Sequence, residues 1–160
     1  MSIPFLVNDP FLVKDISPGS SSSILNRLTV VGNTLFFRAN DGVNGDELWK
    51  SDGTAAGTVL VKDIRPGSSS SGPGSQTVVG NTLFFSANDG VNGTELWKSD
   101  GTADGTVLVK DIRPGSNGSG PNILTVVGNT LFFRADDGVN GTELWALDVT
   151  PPNAAPTAVT

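Results

Sequence analysis

The chain has 160 residues, a formal net charge of −6, and no Cys, His or Tyr. Those absences remove thiol catalysis, histidine triads, Cys/His zinc sites and any disulfide framework. Basic residues stand singly, so there is no basic stripe for nucleic acid, and no apolar run approaches the ~18 residues of a membrane span.

Residues 1–10 read as an N-terminal extension. Met1-Ser2-Ile3-Pro4-Phe5 has neither a basic n-region nor a long apolar core, so no secretory signal is visible. From Phe11 onward a 48-residue unit recurs three times, at 11–58, 59–106 and 107–150. Val13-Lys14-Asp15-Ile16 returns at Val61 and Val109, Val30-Val31-Gly32-Asn33 at Val78 and Val126, and Glu47-Leu48-Trp49 at Glu95 and Glu143. The first two units agree at 38 of 48 positions. A fixed period of this length marks an array of supersecondary units.

The second unit shows the elements most plainly. Gln76-Thr77-Val78-Val79 is a β-branched run, and Gly80-Asn81 is a two-residue hairpin turn of residues that tolerate positive φ. Thr82–Ala87 is a second strand. Its Leu83-Phe84-Phe85 is apolar on successive residues, which predicts cover on both faces. Asn88-Asp89-Gly90-Val91-Asn92-Gly93 is a loop of turn formers, Thr94–Lys98 a third strand, Asp100–Gly105 a turn and Thr106–Ile112 a fourth strand. The Pro-Gly-Ser stretch that follows is long enough to recross three strand gaps, on the order of 14 Å. No segment holds a helical period. Residues 151–160, with Pro151, Pro152 and Pro156, read as an extended exit linker.

The expected fold is therefore all-β: three four-stranded antiparallel blades of a β-propeller-type repeat. A flat repetitive sheet or β-solenoid is the runner-up. The chain starts on the fourth-strand type (Phe11–Ile16) and ends on the third (Glu143–Asp148), so the N-terminal strand is expected to complete the last blade. Three wedges would need about 120° each, too wide for sheets that pack roughly 10 Å apart. Two readings follow: a homodimer closing a six-bladed ring, or further repeats in a larger chain.

The meander puts loops two-to-three and four-to-one on one rim. Asp41, Asn44 and Glu47, with copies Asp89, Asn92, Glu95 and Asp137, Asn140, Glu143, are the oxygen donors there. Calcium is the ion they would suit, against a reading of the Asp and Asn as turn formers. No cofactor is required. Trp49, Trp97 and Trp145 are expected between blades with the indole N–H on a carbonyl; stacking on a sugar is the alternative. Asp52-Gly53-Thr54 reads as a turn in which Asp accepts backbone N–H groups. Lys14, Lys62 and Lys110 point to cross-strand or interblade pairing. Asn92-Gly93-Thr94, Asn117-Gly118-Ser119 and Asn140-Gly141-Thr142 match the glycosylation sequon but read as turn residues. Paired carboxylates would serve a glycosidase only in unlike environments, and near-identical repeats supply like ones.

Glu47-Leu48-Trp49-Lys50-Ser51-Asp52-Gly53-Thr54, repeated at Glu95–Thr102, resembles the ELWxxDGT repeat family. The likeness spans Phe11 to Asp148. The third copy departs, with Val149 in place of the motif glycine, which predicts an altered last turn. The segment Asn153–Val159 is similar to leaders of cadherin-like or Ig-like modules in bacterial adhesins. The resemblance implies an extracellular or cell-surface bacterial protein, non-enzymatic, working in adhesion or as a scaffold. A calcium- or carbohydrate-binding lectin-like propeller is the alternative, and a glycan-processing enzyme comes third. Expected partners are a second copy or further repeats, and a glycan or protein ligand.

Overall fold

A computed structural model describes residues 8–151. The first seven residues of the extension and 152–160 of the expected linker lie outside the described residues. The described chain is all-β, with eleven strands in three antiparallel sheets and no helix among the described residues.

The first sheet holds β1 (Asn26–Val31), β2 (Thr34–Asn40), β3 (Asp46–Ser51) and β4 (Val59–Lys62) in sequence order. The second repeats it with β5 (Gly74–Val79), β6 (Thr82–Asn88), β7 (Thr94–Ser99) and β8 (Val107–Lys110). The third has β9 (Asn122–Val127), β10 (Thr130–Asp136) and β11 (Thr142–Asp148). Registers are copied too: Phe37 faces Trp49, Phe85 faces Trp97 and Phe133 faces Trp145. Each two-residue hairpin puts its glycine at positive φ, 59° at Gly32 and 57° at Gly80. The fourth strands stop at Lys62 and Lys110, short of the expected isoleucine, because a side chain captures the next amides.

The sheets stack, with first strands side by side, β1 against β5 and β5 against β9. The double-apolar second strands explain the stacking. Phe36 joins Leu48 and Ile64 against Leu83, Phe85 and Trp97 of the second sheet. Phe84 and Leu96 join Leu131, Phe133 and Ala135 of the third. Each of these side chains is buried, and burying one such residue stabilises by ~1.5–3 kcal/mol. In the third sheet Phe132 is only half-buried, since no further sheet packs on it among the described residues.

Within one chain the N-terminal segment does not complete the last sheet. Residues 8–25 form no strand, and the third sheet remains three-stranded among the described residues. The segment lies instead on the first sheet. Lys14 Nζ donates to the Thr58 carbonyl at 2.7 Å, as Lys62 Nζ does to Thr106 at 2.8 Å. Ile16 packs with Phe37, Ala39 and Trp49, as Ile64 packs with Phe85, Ala87 and Trp97. Thus the N-terminal segment stands to the first sheet as β4 and its following turn stand to the second. These lysines bond a carbonyl of the next sheet, where the sequence pointed to charge pairing.

Candidate functional site

The two loop types expected on one rim meet there. Gly45, in the β2–β3 loop, has φ +71°, and a Cβ there would come 2.6 Å from the Ser69 carbonyl oxygen of the β4–β5 connection. Only glycine accepts both the backbone and the approach. Asp46 N–H donates to Ser70 Oγ at 2.9 Å, and Gly72 N–H to the Asp46 carbonyl at 3.1 Å. In the second sheet the Gly93 position abuts Gly118 in the same way.

The turn carboxylates close on their own loop. Asp41 Oδ1 accepts the amides of Val43 (2.9 Å) and Asn44 (2.8 Å), while Oδ2 accepts Asn44 Nδ2 (2.7 Å). Asp89 with Asn92 and Asp137 with Asn140 repeat the clasp. These bonds hold the Asp41, Asp89 and Asp137 carboxyls below the usual aspartate range, in Asp41 and Asp89 against an opposing effect of burial. Each Asp and Asn pair is therefore brought together, while Glu47 and Glu95 bond to the connection that leads to the next sheet. No group of three acidic side chains with metal-binding geometry occurs among the described residues.

Glu47 and Glu95 turn inward. Both are fully buried. Glu47 Oε1 accepts the Ser71 amide at 2.9 Å, and Oε2 accepts the Ile64 amide at 3.1 Å and the Ser71 hydroxyl at 2.5 Å. Glu95 accepts the amides of Ile112 (3.3 Å), Arg113 (3.2 Å) and Ser119 (2.8 Å), together with the Ser119 hydroxyl. Each glutamate pins the start and the end of the connection to the next sheet, and this capture ends β4 and β8. Burial pushes the Glu47 carboxyl up to about 6, outweighing the hydrogen bonds from Ser71 and Ile64 that lower it. Glu143 is exposed and accepts no hydrogen bond from a described residue. The sequence placed these glutamates among oxygen donors; the serine 24 positions on was the signal of their structural work.

Trp97 is buried where the first and second sheets meet, Trp49 is buried with Phe37 and Ala39 against Ile16 of the N-terminal segment, and Trp145 is half-buried. In Trp49 and Trp97 the indole N–H does not reach the expected carbonyl: Nε1 of each is buried without a partner among the described residues. The Asp52 turn is structural as read. Asp52 Oδ1 accepts the Thr54 amide (2.9 Å) and hydroxyl (2.7 Å), and Thr54 Oγ1 accepts Gly57 N–H. In the third copy the clasp survives without the glycine, Asp148 Oδ1 taking the Thr150 amide at 2.9 Å. The turn alters at Val149, whose amide donates to the Asn129 carbonyl.

Sequence reasoning missed one repeated feature of the rim. Val43, Val91 and Val139 sit at the crest of the three loops and are 69%, 70% and 86% exposed. A valine recurring inside a run of turn formers, off any strand, was the available signal. Beside these loops lie Arg65, against Gly90, and Arg113, whose Nη1 pairs with Asp136 at 3.0 Å.

No family model matches the chain, and no curated protein matches it. Among solved structures it is similar to the computationally designed Ika8 protein in a P63 crystal packing, at 16% identity and a TM-score of 0.41. The match covers 86% of this chain and 36% of the designed one, and at that level carries no argument.

Proposed function

We propose that the chain is a non-enzymatic interaction module, its sheets serving as consecutive blades of a propeller-type array in adhesion or scaffolding outside a bacterial cell. The observation that carries the reading is the exposed valine at the crest of all three loops. Each crest stands on a turn whose aspartate is committed to its own backbone, so the valine is held on a stiff support. Like contacts repeated along one rim suit a protein partner with a repeating surface, where weak sites add by avidity. The likeness of the repeats opposes catalysis, which wants unlike environments. The resemblance to ELWxxDGT proteins supports the bacterial surface setting, and two copies would bring six sheets into a closed twofold ring.

The test is a binding screen against purified envelope proteins and glycans, repeated with Val43→Ser, Val91→Ser and Val139→Ser singly and together. Stepwise loss, reaching ~100-fold in the triple variant, is expected of additive sites. A ligand bound equally well by the triple variant, or turnover of a screened glycan, would overturn the reading.

A further inference from the structure

The two internal joints show what the first and third sheets do not carry on their outer sides among the described residues. At the C-terminal end, Leu144 is 75% exposed, whereas its copies Leu48 and Leu96 are 0% and 1% exposed under the next sheet. Val127 is exposed where Val31 is buried. The outer edge of β11 carries no strand among the described residues, whereas β3 and β7 carry β4 and β8.

The N-terminal end is the complement. Phe11 and Leu12 are exposed, but their copies Val59 and Leu60 are half-buried in β4. Val30 is exposed, while its copies Val78 and Val126 pack into the joints. Ser23 gives its carbonyl to Asn40 N–H as Ser71 does to Asn88 and Ser119 to Asp136. Ser71 and Ser119 are buried with amide and hydroxyl on a glutamate; Ser23 is half-buried and bonds to no glutamate among the described residues.

We infer that the N-terminal segment of a second copy docks on the β11 edge, Phe11–Lys14 forming the missing fourth strand and Glu143 capturing the Ile16 and Ser23 amides and the Ser23 hydroxyl. The occupant is fixed by the chain itself. Residues 11–23 match 59–71, which fill this position on the first sheet, at 11 of 13 positions, with Phe11 for Val59 and Ser17 for Arg65, and match 107–119 at 9 of 13. The register follows from the pairing of Leu48 with Lys62, Trp49 with Leu60 and Lys50 with Val59: Leu144 meets Lys14, Trp145 meets Leu12 and Ala146 meets Phe11. Val127 and Leu144 are then covered by the first sheet of the second copy. The contact is head-to-tail, so two copies make two such joints if the rotation closes. The joint goes beyond the rim reading and fails separately from it.

The experiment measures the mass of the full chain by light scattering from about 1 µM to about 1 mM, alongside Ser23→Glu and Glu143→Lys. Both side chains lie outside the core, and circular dichroism checks that each variant folds. Wild-type chain is expected to form dimers. Ser23→Glu sets a carboxylate against Glu143, and Glu143→Lys removes the acceptor, so each alone weakens assembly by at least ~100-fold. Mixed in equal amounts they dimerise again, because one joint is wild-type and the other pairs Lys with Glu. A wild-type chain monomeric throughout, a dimer indifferent to both changes, or a mixture that stays dissociated overturns the joint. Assemblies larger than two that obey the same variants support the joint and overturn the six-sheet ring. A confirmed joint with no rim ligand would reject only the proposed function.

Discussion

Replacing Glu95 with alanine removes one buried acceptor from three amides and a hydroxyl, those of Ile112, Arg113 and Ser119. A buried donor left unmade costs ~1–3 kcal/mol, so four donors that partly relax cost about 3–5 kcal/mol in total. The lower half of that range applies if water enters the space. The connection from β8 to β9 would lose its anchor at both ends, so the third sheet loosens first. At ~2–4 °C per kcal/mol for a chain of this size, the melting midpoint falls by roughly 6–20 °C. Glu143→Ala is the internal control. Its side chain is exposed and bonds to no described residue, so the change stays within ~0.5 kcal/mol in dilute monomer. Urea titration followed by tryptophan fluorescence, at a concentration where the chain is monomeric, measures both. A Glu95→Ala cost below ~1 kcal/mol, or a Glu143→Ala cost equal to it, refutes the pinning role.

Three further outcomes are expected. The Glu47 carboxyl, raised by burial from 4.5 to about 6, favours the protonated form in the folded state. Its contribution is therefore fully present below pH 4.5 and lost as pH rises through 6. Stability should climb by up to about 2 kcal/mol from pH 7 to 4.5. That slope should vanish in Glu47→Gln; an unchanged slope there rejects the assignment. Gly93→Ala drives a Cβ into Gly118 at a φ of +70°, whereas Gly141→Ala meets no atom within 4 Å at +76°. The first should cost ~3 kcal/mol or more and the second only the ~1 kcal/mol of the left-handed backbone, read from paired melts. Equal costs would mean that the loops do not abut. Millimolar calcium should leave the melting midpoint unmoved, because the turn carboxylates are engaged by their own loops; a rise in the midpoint would support the metal reading.

Much of the fold was legible because the period repeats and its punctuation is chemical. Gly80-Asn81 marked a hairpin, Asp52-Gly53-Thr54 a turn, and Leu83-Phe84-Phe85 a strand covered on both faces. Each of these depends on residues next to one another. What was not legible depended on partners far along the chain. Glu47 reads as a rim oxygen until Ser71 is known to lie beneath it. Phe11–Ile16 has the composition of a strand for the last sheet, yet Lys14 and Ile16 find on the first sheet the contacts that Lys62 and Ile64 find on the second. The crest valines escaped notice because turn residues on either side concealed an apolar side chain with no core to enter.

Amide exchange by NMR at Ser23, Ser71 and Ser119 tests the head-to-tail account most directly, since the three serines hold one place in successive repeats. The Ser71 and Ser119 amides, bonded to buried glutamates, should be protected at every concentration. The Ser23 amide should exchange freely in dilute monomer and become protected as copies associate. Protection of Ser23 in the monomer equal to that of its copies, or free exchange at Ser71 and Ser119, would contradict the account.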